Sequence, residues 1–247
     1  MTNGYPCHVV ETVDQIISRI DPFIPTEVGS ISQRVTGSLL ELNVWWEQRA
    51  TGMVKPLEIH CPNNANLAAG IATANSAIDS GHNLIFLTEP QRKNSQLARA
   101  LIGLLTRKDA YCVFFHEKGV NDRAAMESMG EIRDLMREHS DARGEPLRLA
   151  ALDPSIDFTV GLLLSCSARK TPVITGTNEN LAGALIAQRL SMKASSWWRH
   201  GSTSPDAATN AAVDRMGIPP GLPLNLSDDL GVGAQISVTL LQEFIEI

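Results

Sequence analysis

Apolar residues recur along this chain in two patterns. Where they are spaced three and four residues apart they predict amphipathic helices, and where they form short runs of branched or aromatic residues they predict buried strands. The helical pattern predicts helices over residues 11–20, 32–49, 64–80, 94–106, 122–139, 155–168 and 180–190, and one that opens within 228–234 and runs to about residue 244. The apolar runs predict strands over residues 84–87, 111–115, 172–175 and 194–198.

Strands and helices alternate from residue 64 onward. This order predicts βαβ units and a parallel sheet, and therefore an α/β fold of the three-layer, doubly wound class. Ligands bind such sheets in the crevice outside the carboxyl ends of the strands. We therefore expect a site among the loops over residues 88–94, 116–122, 176–180 and 199–204. Residues 216–227 hold three prolines and two glycines and predict an irregular loop.

Composition limits the class of protein. The 247 residues are 43% hydrophobic and 19% charged, which fits one folded α/β domain with a small appendage. The formal net charge of -6 argues against a general affinity for nucleic acid or anionic membranes. The first ten residues hold no basic segment followed by an apolar one, and the longest apolar run, 158–165, is too short to span a bilayer. These features predict a cytoplasmic protein.

The four cysteines, Cys7, Cys61, Cys112 and Cys166, lie far apart and form no C-x-x-C pair. This spacing argues against a disulfide framework and against a thiolate zinc site. We predict neither a metal site nor a cofactor.

Five short segments occur in the order in which one enzyme family has its motifs. Residues 26–30 resemble K-P-x-G-S-L-G of the family, and residues 82–95 resemble a strand followed by G-E-x-G and G-N-T-T or A-N-T-T. Residues 171–176 resemble P-V-L-L-D-G, and residues 199–202 resemble S-H-x-S. Residues 231–234, at the start of a terminal helix, resemble a degraded L-G-E-G-x-G-A. On these segments the chain resembles CobT, the nicotinate-nucleotide:dimethylbenzimidazole phosphoribosyltransferase family. The similarity covers nearly the whole chain, although no single motif is intact.

The resemblance implies a homodimer and a small helical subdomain made from both ends of the chain. Residues 1–56 would supply its N-terminal part, residues 57–227 the Rossmann-like α/β domain, and residues 228–247 a C-terminal helix that returns to the subdomain. The apolar stripe around Trp45 and Trp46 is then either core or a dimer face. The resemblance also implies that Glu89 contacts an aromatic base; the substrate-binding candidates are Asn94, Ser95, Gly176, His200, Ser202, Gly231 and Gly233.

The departures from the family pattern concern its chemistry. The glutamate of L-G-E-G is the family's catalytic base, and Val232, which accepts no proton, stands in its place. Residues 175–176 lack the aspartate of P-V-L-L-D-G, and Asp229 replaces the arginine that precedes L-G-E-G. Only Lys118 and a glycine remain of the glycine-rich phosphate segment, and too few residues lie between 52 and 57 to hold the family's early D-H-G block.

Several polar residues near the predicted strand ends have two interpretations. Glu89 is either a carboxylate that orients or deprotonates a ligand, or a solvated loop residue. The basic pair at 92–93 precedes a helix, where it favours a phosphate or forms an ordinary turn with Asn94 as the N-cap. Asp229, with Asp228, either stabilises the last helix or substitutes for the missing base.

Two further predicted loops also have two interpretations each. The His-Glu pair in the loop 116–122 suggests acid–base chemistry, or the loop is structural and its end caps the next helix. His200 and Ser202 either cradle an anion or belong to a polar loop in which Ser204 or Asp206 caps the next helix.

Two functions fit these residues. In the first, the chain is a divergent, shortened CobT-like protein of cobamide lower-ligand metabolism that no longer transfers phosphoribose and binds a nucleotide, a benzimidazole-like base or a partner. In the second, it remains a phosphoribosyltransferase that uses another carboxylate, Glu89 or Asp229. Loss of a general base costs about 10²–10⁴ in rate, so Val232 alone does not exclude the second function. The simultaneous loss of the phosphate segment and the early block favours the first.

Overall fold

The computed structural model describes residues 11–24, 39–50, 52–62, 65–89, 96–115, 121–226 and 230–245. The helices are α1 (Val13–Ser18), α2 (Leu39–Glu47), α3 (Leu67–Asp79), α4 (Gln96–Thr106), α5 (Asp122–Glu138), α6 (Pro146–Ala150), α7 (Pro154–Ala168), α8 (Asn178–Leu190), α9 (Ala207–Met216) and α10 (Val232–Ile245). The strands are β1 (Pro56–His60), β2 (Leu84–Thr88), β3 (Val173–Thr175), β4 (Trp198–Ser202) and β5 (Pro220–Leu222). Short 3-10 helices cover Ala110–Cys112, Asp141–Gly144 and Ala194–Trp197.

The five strands form one sheet in which every neighbouring pair is parallel. Helices cover both faces, so the predicted three-layer α/β class is confirmed. The strand order follows the chain order, β1 to β5, without a reversal. One face is covered by the helices between consecutive strands, chiefly α3, α4, α7, α8 and α9, and the other by α2 and α10 from the two ends of the chain.

The side chains of strand β2 pack on both faces of the sheet. Ile85 and Leu87 join the large core under α3, α4 and α7, whereas Leu84 and Phe86 join the smaller core under α2 and α10. Successive side chains of a strand point to opposite faces, so a strand covered on both sides must be apolar throughout. The unbroken apolar run over 84–87 therefore follows from its central position in the sheet.

Two strand predictions are wrong. Residues 111–115 form no strand: they begin inside the 3-10 helix Ala110–Cys112, and Tyr111 is exposed. Strand β3 pairs directly with β2, so the sheet has no place for a strand between them. Residues 194–198 are also not a strand, because Ala194–Trp197 is a 3-10 helix and β4 begins only at Trp198. Residues 199–202, expected in a loop, therefore lie within β4.

Both edge strands lie where the sequence pattern gave no strand. Strand β1 alternates apolar and polar residues only over its last four positions, 57–60, and β5 lies within the proline-rich segment expected to be a loop. An edge strand pairs on one side only, so it needs less apolar surface and tolerates proline. None of the described helices combines the length and apolar character needed to cross a membrane.

The described cysteines differ sharply in environment, which predicts selective labelling. Cys166 is buried in α7, and burial raises the pKa of its thiol far above its usual range, although nearby Arg169 acts in the opposite direction. Cys112 is exposed. We expect iodoacetamide at pH 8 to modify Cys112 at least about 100-fold faster than Cys166, because alkylation of Cys166 requires unfolding. Peptide mass spectrometry measures both rates; similar rates in the folded protein would contradict the buried placement.

Candidate functional site

The carboxyl ends of the parallel strands meet along one edge of the sheet, as predicted. The polar residues described there are Glu58, His60, Thr88, Glu89, Thr175, His200 and Ser202. They divide into a partly exposed group on β1 and β2 and a buried group at the ends of β2, β3 and β4.

The partly exposed group joins Glu58 and His60 of β1 to Thr88 of β2. The Thr88 hydroxyl donates to Oε1 of Glu58 at 2.6 Å, and it lies 2.9 Å from Nδ1 of His60. With the hydroxyl proton committed to Glu58, Nδ1 of His60 is the donor toward the oxygens of Thr88. Nε2 of His60 lies 3.9 Å from Glu58 Oε1, and the two side chains are 46% and 37% exposed. This Glu-Thr-His cluster can exchange protons with a ligand.

The sequence prediction missed this cluster. Glu58 and His60 are two residues apart, which places both side chains on the same face of a strand. The spacing E-x-H was therefore a usable signal, but it acquires meaning only once residues 56–60 are known to form a strand beside Thr88.

Glu89 follows β2 directly and is only 4% exposed. Its backbone N–H donates to the carbonyl of Leu230 at 2.9 Å, which ties the segment before α10 to the end of β2. Both carboxylate oxygens are buried. The alternative of a solvated loop residue is therefore wrong.

The segment 230–234 lies against the strand ends at very short range. Gly231 has a φ of +84°, and a Cβ atom there would lie 2.8 Å from Cα of Thr88. A Cβ at Gly176 would overlap the backbone of Gly231, and one at Gly201 would overlap the backbone of Ala234. These glycines are required because the backbone of α10 packs directly on the sheet.

The ends of β3 and β4 form the buried group. The Thr175 hydroxyl donates to the carbonyl of Arg199 at 3.2 Å and lies 3.2 Å from Nδ1 of His200. Ser202 donates to the carbonyl of Thr203 at 3.1 Å. His200 and Ser202 are 5% and 3% exposed. They lie in a strand of the sheet rather than in the polar loop considered above.

A charged network lies beneath this edge, around Asp206. Its carboxylate accepts two bonds from the Arg99 guanidinium, at 2.8 and 2.7 Å, and a third from Asn178 at 3.0 Å. Thr209 donates to Asn178 at 3.0 Å, and Asp206 also accepts from the backbone N–H of Ala208. Asp206 is thus the N-cap of α9, one of the two residues considered for that role, while sequence periodicity gave no sign of Arg99.

Two arginines, Arg49 and Arg199, lie close together on the other face of the sheet, near α2 and β4. Burial lowers the pKa of Arg199 to about 10, partly offset by Glu41. Burial, and then the charge of Arg199, lower the pKa of Arg49 to about 9. Trp45 lies under both guanidinium groups, at 5.2 Å from Arg49 and 5.5 Å from Arg199. Trp45 and Trp46 are 3% and 2% exposed, so they belong to the core of the subunit.

Comparison with known proteins identifies the family. A family model described as phosphoribosyltransferase matches residues 62–247. The nicotinate-nucleotide–dimethylbenzimidazole phosphoribosyltransferase of Streptomyces avermitilis is 33% identical over 181 residues, which are 72% of this chain and 48% of the relative. The chain belongs to the CobT phosphoribosyltransferase family.

Further CobT proteins are also similar to this chain. The corresponding enzyme of Streptomyces coelicolor is 30% identical over 202 residues, 79% of this chain and 56% of the relative. The crystal structure of CobT from Thermus thermophilus has the same fold, with a TM-score of 0.63 and 24% identity over 72% of this chain and 54% of that one. The chain thus spans about half the length of the relatives it matches.

Val232, which the sequence predicts to stand in place of the CobT glutamate, is the first residue of α10 and is 41% exposed. It follows Gly231, which contacts Thr88, so the Glu58–Thr88–His60 cluster lies close to the same turn. Asn121 caps α5 by accepting from the N–H of Ala124 at 2.9 Å. The candidates Arg92, Lys93, Asn94, Ser95, His116, Glu117, Lys118, Asp228 and Asp229 lie outside the described residues.

Proposed function

We propose that this chain is a CobT-family protein of cobamide lower-ligand metabolism that acts as a binding or regulatory module, without standard phosphoribosyl transfer. Its ligand would be a nucleotide or a benzimidazole-like base. The observation that carries the proposal is the exposed aliphatic side chain of Val232, which the resemblance puts at the position of the family's catalytic base. An aliphatic group cannot take the proton that the incoming base nitrogen must lose when it attacks the ribose carbon.

The burial of the neighbouring candidates supports this proposal. A general base must come within hydrogen-bond distance of the proton it removes. The Glu89 carboxylate is buried, and so are His200 and Ser202, which makes them poor replacements for an accessible carboxylate. Asp229, the other candidate for a substitute general base, lies outside the described residues.

Incubation with nicotinate mononucleotide and dimethylbenzimidazole tests the proposal. We expect no α-ribazole phosphate above the uncatalysed background, whereas a ligand that binds the native state raises the melting temperature. Val232→Glu, with Val232→Gln as the uncharged control, is also expected to remain inactive, because the phosphate segment is reduced as well. Turnover by the unmodified protein that disappears in Glu89→Gln would contradict the proposal.

The Glu58–Thr88–His60 cluster favours a second candidate function, phosphoribosyl transfer with a substitute base. Its carboxylate and imidazole are partly exposed and lie near the turn that carries Val232. In that case the unmodified protein forms product, and Glu58→Gln lowers the rate by about 10²–10⁴. Glu89→Gln then serves as the matched comparison, since it removes a buried carboxylate at the same edge.

The assembly and the domain division remain proposals. We propose a homodimer, and a small subdomain made from residues 1–56 and 228–247 beside an α/β domain over 57–227. The packing of α2 against α10 supports the association of the two ends of the chain.

A further inference from the structure

Four arginines converge at the end of the molecule opposite the candidate site. Arg107 follows α4, Arg189 and Arg215 lie in the last turns of α8 and α9, and Arg143 lies in the 3-10 helix before α6. Arg189 donates to the carbonyl of Arg143 at 2.7 Å. Burial lowers the pKa of Arg189, and the charges of the other three lower it further. The guanidinium group of Arg189 is therefore repelled by those of Arg143, Arg215 and Arg107.

Carboxylates of the described residues pair with other arginines instead of this cluster. Eight arginines form ion pairs with aspartate or glutamate; they are Arg19, Arg99, Arg123, Arg133, Arg137, Arg148, Arg169 and Arg199. No ion pair of the described part of the chain includes the four clustered arginines. Within that part, Nε of Arg143 is buried without a hydrogen-bond partner. Such an arrangement costs free energy unless an anion from outside compensates it.

A groove of about 500 Å³ adjoins the cluster, between the end of α4, the 3-10 helix Ala110–Cys112 and α9. Lys108 and Arg215 bring two positive charges to its wall, and Asp214 brings one negative charge. The remaining lining residues are Thr106, Cys112, Ala207, Asn210 and Ala211. This volume is in the range of sites that hold a small molecule rather than a protein surface.

The backbone fixes Lys108 at the groove. Arg107 has a φ of 61°, and the N–H of Lys108 donates to the carbonyl of Gly103 at 3.0 Å. This is the reversal that ends many helices, usually made by glycine. Lys108 lines the groove together with Arg215, which lies in the last turn of α9.

We propose that this groove binds a phosphorylated small molecule of nucleotide size, distinct from any ligand at the carboxyl edge of the sheet. Lys108 and Arg215 contact the phosphate, and Asp214 accepts a hydrogen bond from a sugar hydroxyl. The neighbouring Arg107, Arg143 and Arg189 raise the local positive potential of a protein whose net charge is -6. This second site does not depend on whether the chain transfers phosphoribose.

Calorimetric titration with ADP and with inorganic pyrophosphate tests the proposal. We expect saturable one-to-one binding that weakens at least about tenfold in the variant Lys108→Gln/Arg215→Gln, because each lost contact is a charge-assisted hydrogen bond. The matched control Arg123→Gln/Arg133→Gln removes two exposed, paired arginines of α5 and should change the affinity less than about twofold. Binding should weaken as salt increases.

Three outcomes would overturn the proposal. The first is that ADP shows no saturable binding at millimolar concentration. The second is that the groove variant and the unmodified protein bind ADP with equal affinity. The third is that polyglutamate binds and neither phosphate compound does. Equal affinity would place the ADP site elsewhere, for example at the strand ends. A failed transferase assay has no bearing on these outcomes, so the two proposals fail separately.

Discussion

Asp206→Ala is expected to lower the free energy of unfolding by about 3–5 kcal/mol. The substitution leaves the Arg99 guanidinium buried without its carboxylate, and Arg99 is only 7% exposed. It also removes the N-cap of α9 and an acceptor for Asn178. Urea unfolding measured by circular dichroism gives the change, and a loss of this size removes a large part of the stability of an ordinary domain.

The double variant Arg99→Met/Asp206→Ala is the control for this interpretation. Removing both charges avoids an uncompensated buried ion, so it should be destabilised less than Asp206→Ala alone. Arg148→Met, which breaks exposed pairs with Asp141 and Glu145, should lower the free energy of unfolding far less than Asp206→Ala. Equal losses for the single and double variants would mean that the cap, not the ion pair, dominates.

Gly201→Ala is expected to displace α10 from the sheet and to lower the free energy of unfolding by about 1–3 kcal/mol. The added methyl group would overlap the backbone of Gly233 and Ala234, which cannot rotate away as a side chain can. A hydrogen bond also joins α10 to β4: the Ser237 hydroxyl donates to the carbonyl of Gly201 at 2.5 Å. Urea unfolding measures the stability, and Trp fluorescence reports the packing of α2 beside α10.

Gly130→Ala is the matched control. Gly130 lies inside α5, and a Cβ there meets nothing within 4 Å. Alanine should therefore stabilise the protein by about 0.5–1 kcal/mol through helix propensity. If Gly201→Ala were as harmless as Gly130→Ala, the direct contact between α10 and β4 would be disproved.

The central elements of the fold could be predicted from the sequence because their local pattern and their burial agree. The run over 84–87 is apolar at every position, and β2 is covered on both faces. Strands β1 and β5 lie at the edges, where the pattern is weak, and residues 111–115 look like a strand without having a place in the sheet.

The candidate site was predicted less completely. The sequence predicts a site at the strand ends and names Gly231 and Gly233 as candidates, and the structure brings Gly231 against Thr88 at the end of β2. The Glu58–Thr88–His60 cluster was not predicted, because its members on β1 and β2 lie 28 to 30 residues apart and meet only through the pairing of the two strands. The backbone hydrogen bond between Glu89 and Leu230 likewise joins residues far apart in the chain.

The sequence by itself determined the α/β class, the order of most helices, and the aliphatic character of position 232. These properties depend on local periodicity or on the chemistry of one side chain. Only the tertiary structure decided which of the described side chains are accessible, which of their charges are paired, and where four arginines collect. The physical reason is that burial and electrostatic energy depend on distances between residues remote in sequence, which no local pattern contains.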